Sequence, residues 1–395
     1  MRSSIKICFI IVSFTMLITS CKSGKFNIDS NLKYCTEKVH ETISNIPDDT
    51  NNIPRSIPSD SDKWKFIGYK DWTSGFWPGI LWYAYESSGD SSIKNTAAKF
   101  SSEIIPIEYC RAYSHDIGFR FFCNYGNGFR LTGNENYKKI LLAAADTLAT
   151  LYNPKVETIL SWPIYVKEFG PHNTIIDNMM NLELLFWASK NGGSKNLYDI
   201  AVKHATTTMN NHFRKDYSCY HVVLYDSATG KKIKGVTHQG FNDSSMWARG
   251  QSWAIYGFTM CFRETSDPKF LDFAQKVADI YLKNLPQDLI PKWDFNAPAN
   301  APKDASAACI TASALIELSS YVSDKEMAAM YLKKAQKMLE NLSTARYQSR
   351  KKNSAFLLHS TGNKPANIEI DASIIYTDYY YLEALLRLKK LYNKI

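Results

Sequence analysis

Two alternating kinds of helical segment constrain the fold of this 395-residue chain more than any other feature. Residues 135–152 show the first kind, in which apolar side chains recur at helical spacing on one stripe: Tyr137, Ile140, Leu141, Ala144, Leu148 and Leu151. Such a stripe is typical of a helix with one face on a core and one in solvent. The same pattern recurs near residues 31–46, 91–107, 194–211, 268–284 and 325–342.

Helices of the second kind lie between these segments and are apolar almost all round. They are expected near residues 74–87, 117–131, 174–190, 246–264, 306–320 and 371–392. A helix without a polar face is buried on all sides. Six amphipathic and six apolar helices in alternation predict an all-α fold, an (α/α)6 toroid. In it, six helical hairpins form two concentric rings, with the apolar ring inside.

One segment has the alternation of strands. Residues 218–236 contain two short apolar runs on either side of a turn-like "SATG". This pattern predicts a small β-hairpin inserted between helices at one rim of the toroid.

The first 21 residues resemble an export signal. Arg2 and Lys6 precede an apolar run over residues 7–18, which is shorter than the roughly 20 residues that span a bilayer. "ITSC" then resembles a bacterial lipobox, so we expect a lipid on Cys21, with ordinary signal cleavage as the alternative. The predicted organisation is a signal peptide over 1–20, a tether over 21–30 and one catalytic domain over 31–395. The protein would be an exported lipoprotein, anchored in a membrane and facing the periplasm.

Charge and cysteine usage narrow the partners. The formal net charge is +9, yet no basic run stands out, so a nucleic-acid partner is not expected, whereas a small acidic substrate is compatible. The six cysteines outside the export segment are scattered, without a CxxC pair. We therefore expect neither a structural metal nor a cofactor.

An aspartate stands at or near the start of each apolar helix: Asp71, Asp116, Asp177, Asp243, Asp304 and Asp371. Aspartate is a preferred N-cap, and capping is the expectation for Asp71, Asp243 and Asp304. In a toroid, however, the starts of the inner helices surround one mouth of the barrel. Helix caps and a funnel-shaped site would then occupy the same place.

Asp177 is the strongest catalytic candidate among them. It is flanked by Ile175, Ile176, Met179 and Met180, and apolar surroundings raise the pKa of a carboxyl group. Such a group retains a proton near neutral pH and can act as an acid. Asp116, in "SHDIGF", is the second candidate, since its charge would raise the pKa of Asp177 further.

The stretch "SMWARGQSW", residues 245–253, combines two tryptophans with an arginine and a glycine. Gly250 inside a helix costs roughly 1 kcal/mol, which indicates that another group approaches closely there. Two interpretations remain open. The stretch either binds a flat, anionic ligand or forms a buried junction in which Arg249 stacks on a tryptophan.

Several segments together resemble the unsaturated glucuronyl hydrolases, glycoside hydrolase family 88, over almost the whole mature chain. They are "DWTSGFWPG" (71–79), "HDIGF" (115–119), "IIDNMMNLELLFWAS" (175–189), "HVVLYD" (221–226), "THQGFNDSSMWARGQSWAIYG" (237–257), "DASAACI" (304–310) and "IYTDYYYLEALLRL" (375–388). The 237–257 block is the specific one. The resemblance implies the same toroid and removal of a terminal Δ4,5-unsaturated glucuronic acid from lyase-generated chondroitin, hyaluronan or heparin fragments.

The resemblance also implies roles by position. Asp177 falls on the family's acid/base aspartate and Asp116 on its partner. The implied substrate-binding residues are His221, Gln239, Trp247, Arg249, Trp253 and Trp72, with the tryptophans near 250 stacking on the sugar and Arg249 binding its carboxylate bidentately. Lys364, in the loop "LLHSTGNKP" (357–365), is a candidate for a sulfate on the second sugar, although a solvated turn explains it equally well.

Three alternatives differ in substrate or class. An unsaturated rhamnogalacturonyl hydrolase would share the fold and chemistry but act on pectin fragments. An epimerase of this fold would need a histidine pair, which we do not find in the sequence. A non-catalytic, lipid-anchored glycan-binding protein would suit the aromatic content but gain nothing from a desolvated Asp177.

Overall fold

A computed structural model describes residues 26–47, 49, 51–102 and 112–393. The predicted alternation is confirmed within these ranges. The outer helices are α1 (Ile28–Asn45), α3 (Ser91–Ser102), α6 (Glu135–Ala149), α9 (Asn196–Asn211), α11 (Pro268–Lys283) and α13 (Lys325–Leu342). The inner ones are α2 (Phe76–Ser88), α4 (Ile117–Phe121) with α5 (Asn127–Thr132), α8 (Asn178–Lys190), α10 (Ala248–Thr265), α12 (Ala305–Ser319) and α14 (Ile375–Tyr392).

The inner helices form a closed ring. Each packs against the next, and α14 contacts both α12 and α2, so the last hairpin meets the first. The second inner helix is interrupted by a π-helical turn, Phe122–Gly126, that joins α4 to α5. The main hydrophobic core lies within this ring and between it and the outer helices. The described helices include none that combines the length and apolar character needed to cross a bilayer.

Side-chain caps start several of the outer helices. Asn27, Asn134, Asp267 and Asp324 each accept a backbone N–H of the first turn. Because Asn27 caps α1 and the helix begins at Ile28, the predicted tether over 21–30 is too long at its C-terminal end. Residues 21–25 and Cys21 itself lie outside the described residues.

The predicted caps on the inner helices are only partly confirmed. Asp304 caps α12 by accepting the Ser306 N–H. Asp71 instead accepts from Thr73 and pairs with Arg55, while α2 starts five residues later. Asp243 accepts from the Thr237 N–H in the loop before α10. The capping prediction is wrong for these two aspartates because the helices begin beyond their reach.

The structure contains more β-structure than predicted. The expected hairpin is present as β6 (Val222–Tyr225) and β7 (Lys232–Val236), but β5 (His172–Ile175) adds a third antiparallel strand on the other side of β6. Short strands also form at β1 (Ile53–Ile57), β2 (Lys65–Ile67) and β8 (Ser373–Ile374), which make one sheet, and at β3 (Tyr152–Asn153) with β4 (Thr158–Ile159). Strands of two to five residues show too little alternation to be seen in a sequence.

The β5–β6 pair places two functional segments side by side. Ile175 lies opposite Val222, and the Ile176 N–H donates to the His221 carbonyl at 3.0 Å. Asp177 follows β5 after one intervening residue, Ile176, and His221 directly precedes β6. The sheet therefore brings together two residues that are 44 positions apart in the sequence.

An ion-pair network joins three inner helices near their C-terminal ends. Glu317 of α12 accepts from Arg263 of α10 at 2.8 Å and from Arg387 of α14 at 2.6 Å. Burial disfavours the charge of Glu317, but the two arginines more than offset it and lower the pKa of the carboxyl group. This network lies near the C-terminal ends of the helices, whereas Asp177 and Asp304 lie at N-terminal ends.

We expect Glu317→Gln to lower the free energy of unfolding by about 2 to 3 kcal/mol, because it leaves two partly buried guanidinium groups without their shared carboxylate. Chemical denaturation would measure the change. Glu340→Gln is the matched control, since it removes an exposed ion pair with Lys337 and should change stability little. Equal effects of the two substitutions would contradict a stabilising role for the network.

Candidate active site

Asp177 stands at the junction of β5 and α8. It occupies the N-cap position of α8, yet its side chain makes no capping hydrogen bond. Only 13% of the side chain is exposed. Burial raises its pKa to about 7, the charge of Asp116 acts in the same direction, and Arg249 opposes both. The carboxyl group is thus protonated in a large fraction of molecules at neutral pH, as the sequence predicted.

His221 faces this carboxyl group with a defined tautomer. Its Nδ1 accepts the backbone N–H groups of His238 at 3.2 Å and Gln239 at 3.1 Å. Burial keeps the pKa of His221 well below its usual range, so the ring is neutral and its proton is on Nε2. Nε2 lies 3.7 Å from Oδ2 of Asp177. His221 therefore presents an N–H donor to Asp177.

Asp116 lies near Asp177 at the start of α4. Like Asp177, it occupies an N-cap position without a capping bond from its side chain. Ser114 Oγ donates to its Oδ2 at 2.6 Å, and His115 Nε2 lies 3.4 Å from its Oδ1. The two predicted catalytic carboxyl groups are brought together, since the charge of Asp116 acts on Asp177.

The structure decides between the two interpretations of residues 245–253. The guanidinium group of Arg249 stacks on the Trp247 ring at 4.7 Å, and Arg249 is 2% exposed. Its Nη1 donates to Asp304 at 2.6 Å and to the Thr361 carbonyl at 2.7 Å, and Nη2 donates to the Gly362 carbonyl. The stretch forms a buried junction in which Nη1 and Nη2 both donate within the protein, and the bidentate contact of Arg249 with a substrate carboxylate stays a prediction.

The two tryptophans of this stretch are buried as well. Trp253 has no exposed surface and packs against Phe119 and Tyr380, while the Trp247 ring lies 4.4 Å from His221. Both rings are buried in this structure, and their stacking on a sugar stays a prediction. The indole N–H of Trp253 instead interacts with Asp177 and favours its ionised form.

Gly250 permits this packing. A Cβ atom there would come within 2.6 Å of the Trp247 ring and 3.2 Å of Ile176. The close approach predicted from the glycine is confirmed.

The other predicted substrate-binding residues differ in their contacts with the rest of the site. Trp72 is half-buried, shares a small cavity with Asp116, and packs on Tyr376 at 5.3 Å. Gln239 contributes backbone groups, since its N–H binds His221 and its carbonyl accepts the Trp293 indole N–H at 2.8 Å. Lys364 lines a cavity of about 480 Å³ together with Trp293. Trp293 thus connects the site wall to the cavity of Lys364.

Sequence reasoning missed two residues of the site. Trp162 packs edge-on against His221 at 5.8 Å and His238 at 5.3 Å, at the edge of an irregular segment with exposed Ile164 and Tyr165. No periodicity marks that segment. The second residue, His115 in "HDIGF", contacts Asn181 of another helix, and a contact between helices leaves no pattern in the local sequence.

Comparison with known proteins agrees with this geometry. The model of Glycosyl Hydrolase Family 88 matches residues 39–389. The chain belongs to glycoside hydrolase family 88. It is 42% identical to the unsaturated glucuronyl hydrolase of Formosa agariphila, with 98% of both chains covered. It is also 33% identical to the unsaturated chondroitin disaccharide hydrolase of Streptococcus pneumoniae, over 82% of this chain and 83% of the relative.

Solved structures give the same picture. An unsaturated glucuronyl hydrolase specific for heparin superposes with a TM-score of 0.87 at 40% identity, covering 93% of this chain and 98% of that one. The enzyme of Bacillus sp. GL1 superposes with a TM-score of 0.85 at 30% identity, covering 92% of this chain and 96% of that one. The (α/α)6 toroid is confirmed. The chain is a glycosidase of the unsaturated glucuronyl hydrolase family.

Proposed function

We propose that Asp177 starts the reaction by protonating C4 of the terminal Δ4,5-unsaturated glucuronic acid. The observation that carries this proposal is a nearly buried carboxyl group with a pKa of about 7, faced by the Nε2–H of a neutral histidine. A group with that pKa is divided between acid and base at neutral pH. The same residue can therefore deliver a proton and then accept one.

The chemistry follows from the substrate. Its C4=C5 bond and ring oxygen form a vinyl ether, so protonation at C4 leaves an oxocarbenium-like centre at C5. Water adds at C5 and gives up a proton to the ionised Asp177, which restores the acid. The resulting hemiketal opens to a ketone at C5, and the hemiacetal left at C1 expels the second sugar as an alcohol. One water is consumed, and the distance rules for ordinary two-carboxylate glycosidases do not apply.

The surrounding groups would support this sequence. The Nε2–H of His221 can stabilise Asp177 once it is ionised, and the Arg249 guanidinium acts in the same direction. Asp116 favours the protonated form before the reaction. Opposing influences of this kind keep the pKa near 7.

For the polymer, we favour heparin-type fragments. This choice is supported by the 40% identity to a heparin-specific enzyme and by the position of Lys364. Lys364 lines a cavity with the aromatic residues Phe241 and Trp293, and the Trp293 indole N–H donates to the Gln239 carbonyl. An aromatic surface beside a cation suits a sulfated second sugar.

For the compartment, we propose an exported lipoprotein that faces the periplasm. The support is the basic start, the short apolar run and "ITSC" before Cys21. Lyase products are small enough to reach an enzyme in that position. The chains of a bacterial lipoprotein together give firm anchoring, whereas one acyl chain alone binds marginally.

We expect Asp177→Asn to fold normally and to lose at least about 10³ of kcat, because an amide cannot deliver the proton. The readout is loss of the ultraviolet absorbance of the unsaturated uronate. The wild-type kcat should fall as pH rises through about 7, the pKa of Asp177, since only the protonated form starts the reaction. A folded variant with a tenth of the wild-type rate would exclude Asp177 as the acid.

We expect the highest kcat/KM on a sulfated heparin disaccharide when this is compared with unsulfated heparin, chondroitin and hyaluronan disaccharides. Lys364→Met should lower kcat/KM about tenfold on the sulfated substrate, the equivalent of about 1.4 kcal/mol, and little on its unsulfated form. Lys351→Met, at an exposed lysine, is the matched control. Equal losses on both substrates would show that Lys364 does not contact a sulfate.

We expect Cys21→Ser to abolish incorporation of labelled fatty acid and to move the protein from the membrane fraction to the soluble one. Turnover of a disaccharide should not change, because the anchor lies outside the domain. Cys8→Ser, the same change within the signal, should stay acylated. Wild-type protein that begins beyond Cys21 and is already soluble would refute the lipoprotein and leave only export.

A further inference from the structure

A buried pair of polar side chains lies behind Asp116. His115 precedes α4 and Asn181 lies in the first turn of α8, and neither has exposed surface. The two helices approach closely here, since a Cβ atom on Gly118 would come within 2.5 Å of the Asn181 Cα. The backbone N–H of His115 also donates to the Ser161 carbonyl at 3.0 Å. The position of the His115 ring is therefore determined by packing from several directions.

The hydrogen bonds of Asn181 determine which nitrogen of His115 carries the proton. The Asn181 side-chain oxygen accepts the Phe119 N–H at 2.9 Å, so its amide nitrogen is the atom that faces His115 Nδ1 at 3.1 Å. An amide nitrogen only donates, which makes Nδ1 the acceptor. A neutral His115 then has its proton on Nε2, the atom 3.4 Å from Asp116 Oδ1.

His115 is held neutral. Burial lowers its pKa, while Asp116 and the side chain of Asn178 act in the opposite direction without cancelling that effect. The other titratable groups that interact with this cluster are His204 of α9, His221 before β6, and Asp177, which is influenced by Asp116. The group next to Asp116 is thus an uncharged N–H, whose nitrogen lies 3.4 Å from Oδ1 without completing a hydrogen bond in this structure.

Each carboxyl group of the site consequently lies close to Nε2 of a neutral histidine. Asp177 faces the Nε2–H of His221, whose Nδ1 accepts two backbone N–H groups. Asp116 faces the Nε2–H of His115, whose Nδ1 accepts from Asn181. Asp116 also accepts a hydrogen bond from Ser114 Oγ on its other oxygen.

We propose that Asn181 and His115 are positioning residues for the reaction: Asn181 selects the Nε2–H tautomer of His115, and His115 keeps Asp116 oriented beside Asp177. The proposal rests on the roles of Asp116 and Asp177 given above. An uncharged donor suits this position because a charged histidine would neutralise Asp116 and remove its influence on the proton of Asp177.

Two substitutions at His115 separate donation from packing. Glutamine can place an N–H group where His115 has Nε2, whereas asparagine reaches only the position of Nδ1. We expect His115→Asn to lower kcat about 10- to 100-fold, the size of one hydrogen bond to a charged group, with little change in KM. The fall of kcat with rising pH, which is set by Asp177, should move to lower pH, because a displaced Asp116 raises the pKa of Asp177 less. His115→Gln should retain most of the activity and the wild-type profile.

A measurement on the wild type does not depend on the folding of any variant. In full-length protein with ¹⁵N-labelled histidine, the His115 ring, assigned from its absence in His115→Gln, should show a protonated Nε2 and an unprotonated Nδ1 between pH 6 and 8. Asn181→Leu should weaken this preference. An Nδ1–H tautomer or a charged ring in the wild type would overturn the proposal, as would folded His115→Asn with wild-type kcat and pH profile. Activity in Asp177→Asn would instead refute the proposed function.

Discussion

Burial of the Asp177 carboxyl group is the constraint on which the rest of the site depends. Raising its pKa from 3.8 to about 7 destabilises the native state by roughly 4 kcal/mol at neutral pH, at about 1.4 kcal/mol for each pH unit. The fold must supply this energy elsewhere, and the large apolar ring of inner helices does so. The packing of the helices thus offsets the cost of burying the Asp177 carboxyl group.

The second constraint is that the pKa of Asp177 must not rise so far that the group stays protonated throughout the reaction. Arg249 and Trp253 favour its ionised form, and Asp116 opposes them. Arg249 can act this way because Asp304 and two loop carbonyls secure its guanidinium group without an exposed surface. A cation predicted to grip the substrate is therefore part of the electrostatic frame of the acid, and it also attaches the 357–365 loop to α10.

Neutral histidines complete this frame. A buried imidazole costs little when it is uncharged and when each nitrogen has a matching partner. His221 and His115 satisfy this condition at Nδ1 and direct Nε2–H at the two carboxyl groups. Backbone N–H groups donate to Nδ1 of His221, and the Asn181 side chain donates to Nδ1 of His115. The same neutral Nε2–H tautomer is therefore favoured by donors from two different parts of the chain.

The sequence by itself determined the toroid, the alternation of outer and inner helices, and the choice of Asp177 as the candidate acid. These depend on local information, since hydrophobic periodicity reports how a helix is buried, and the isoleucines and methionines around Asp177 are its sequence neighbours. Tertiary structure alone decided the roles of Arg249, Trp253 and His115. Their partners are Asp304, Tyr380 and Asn181, which lie on other helices. A side chain between two helices can face a ligand or a neighbour with the same local sequence, and only the packing of the ring distinguishes the two.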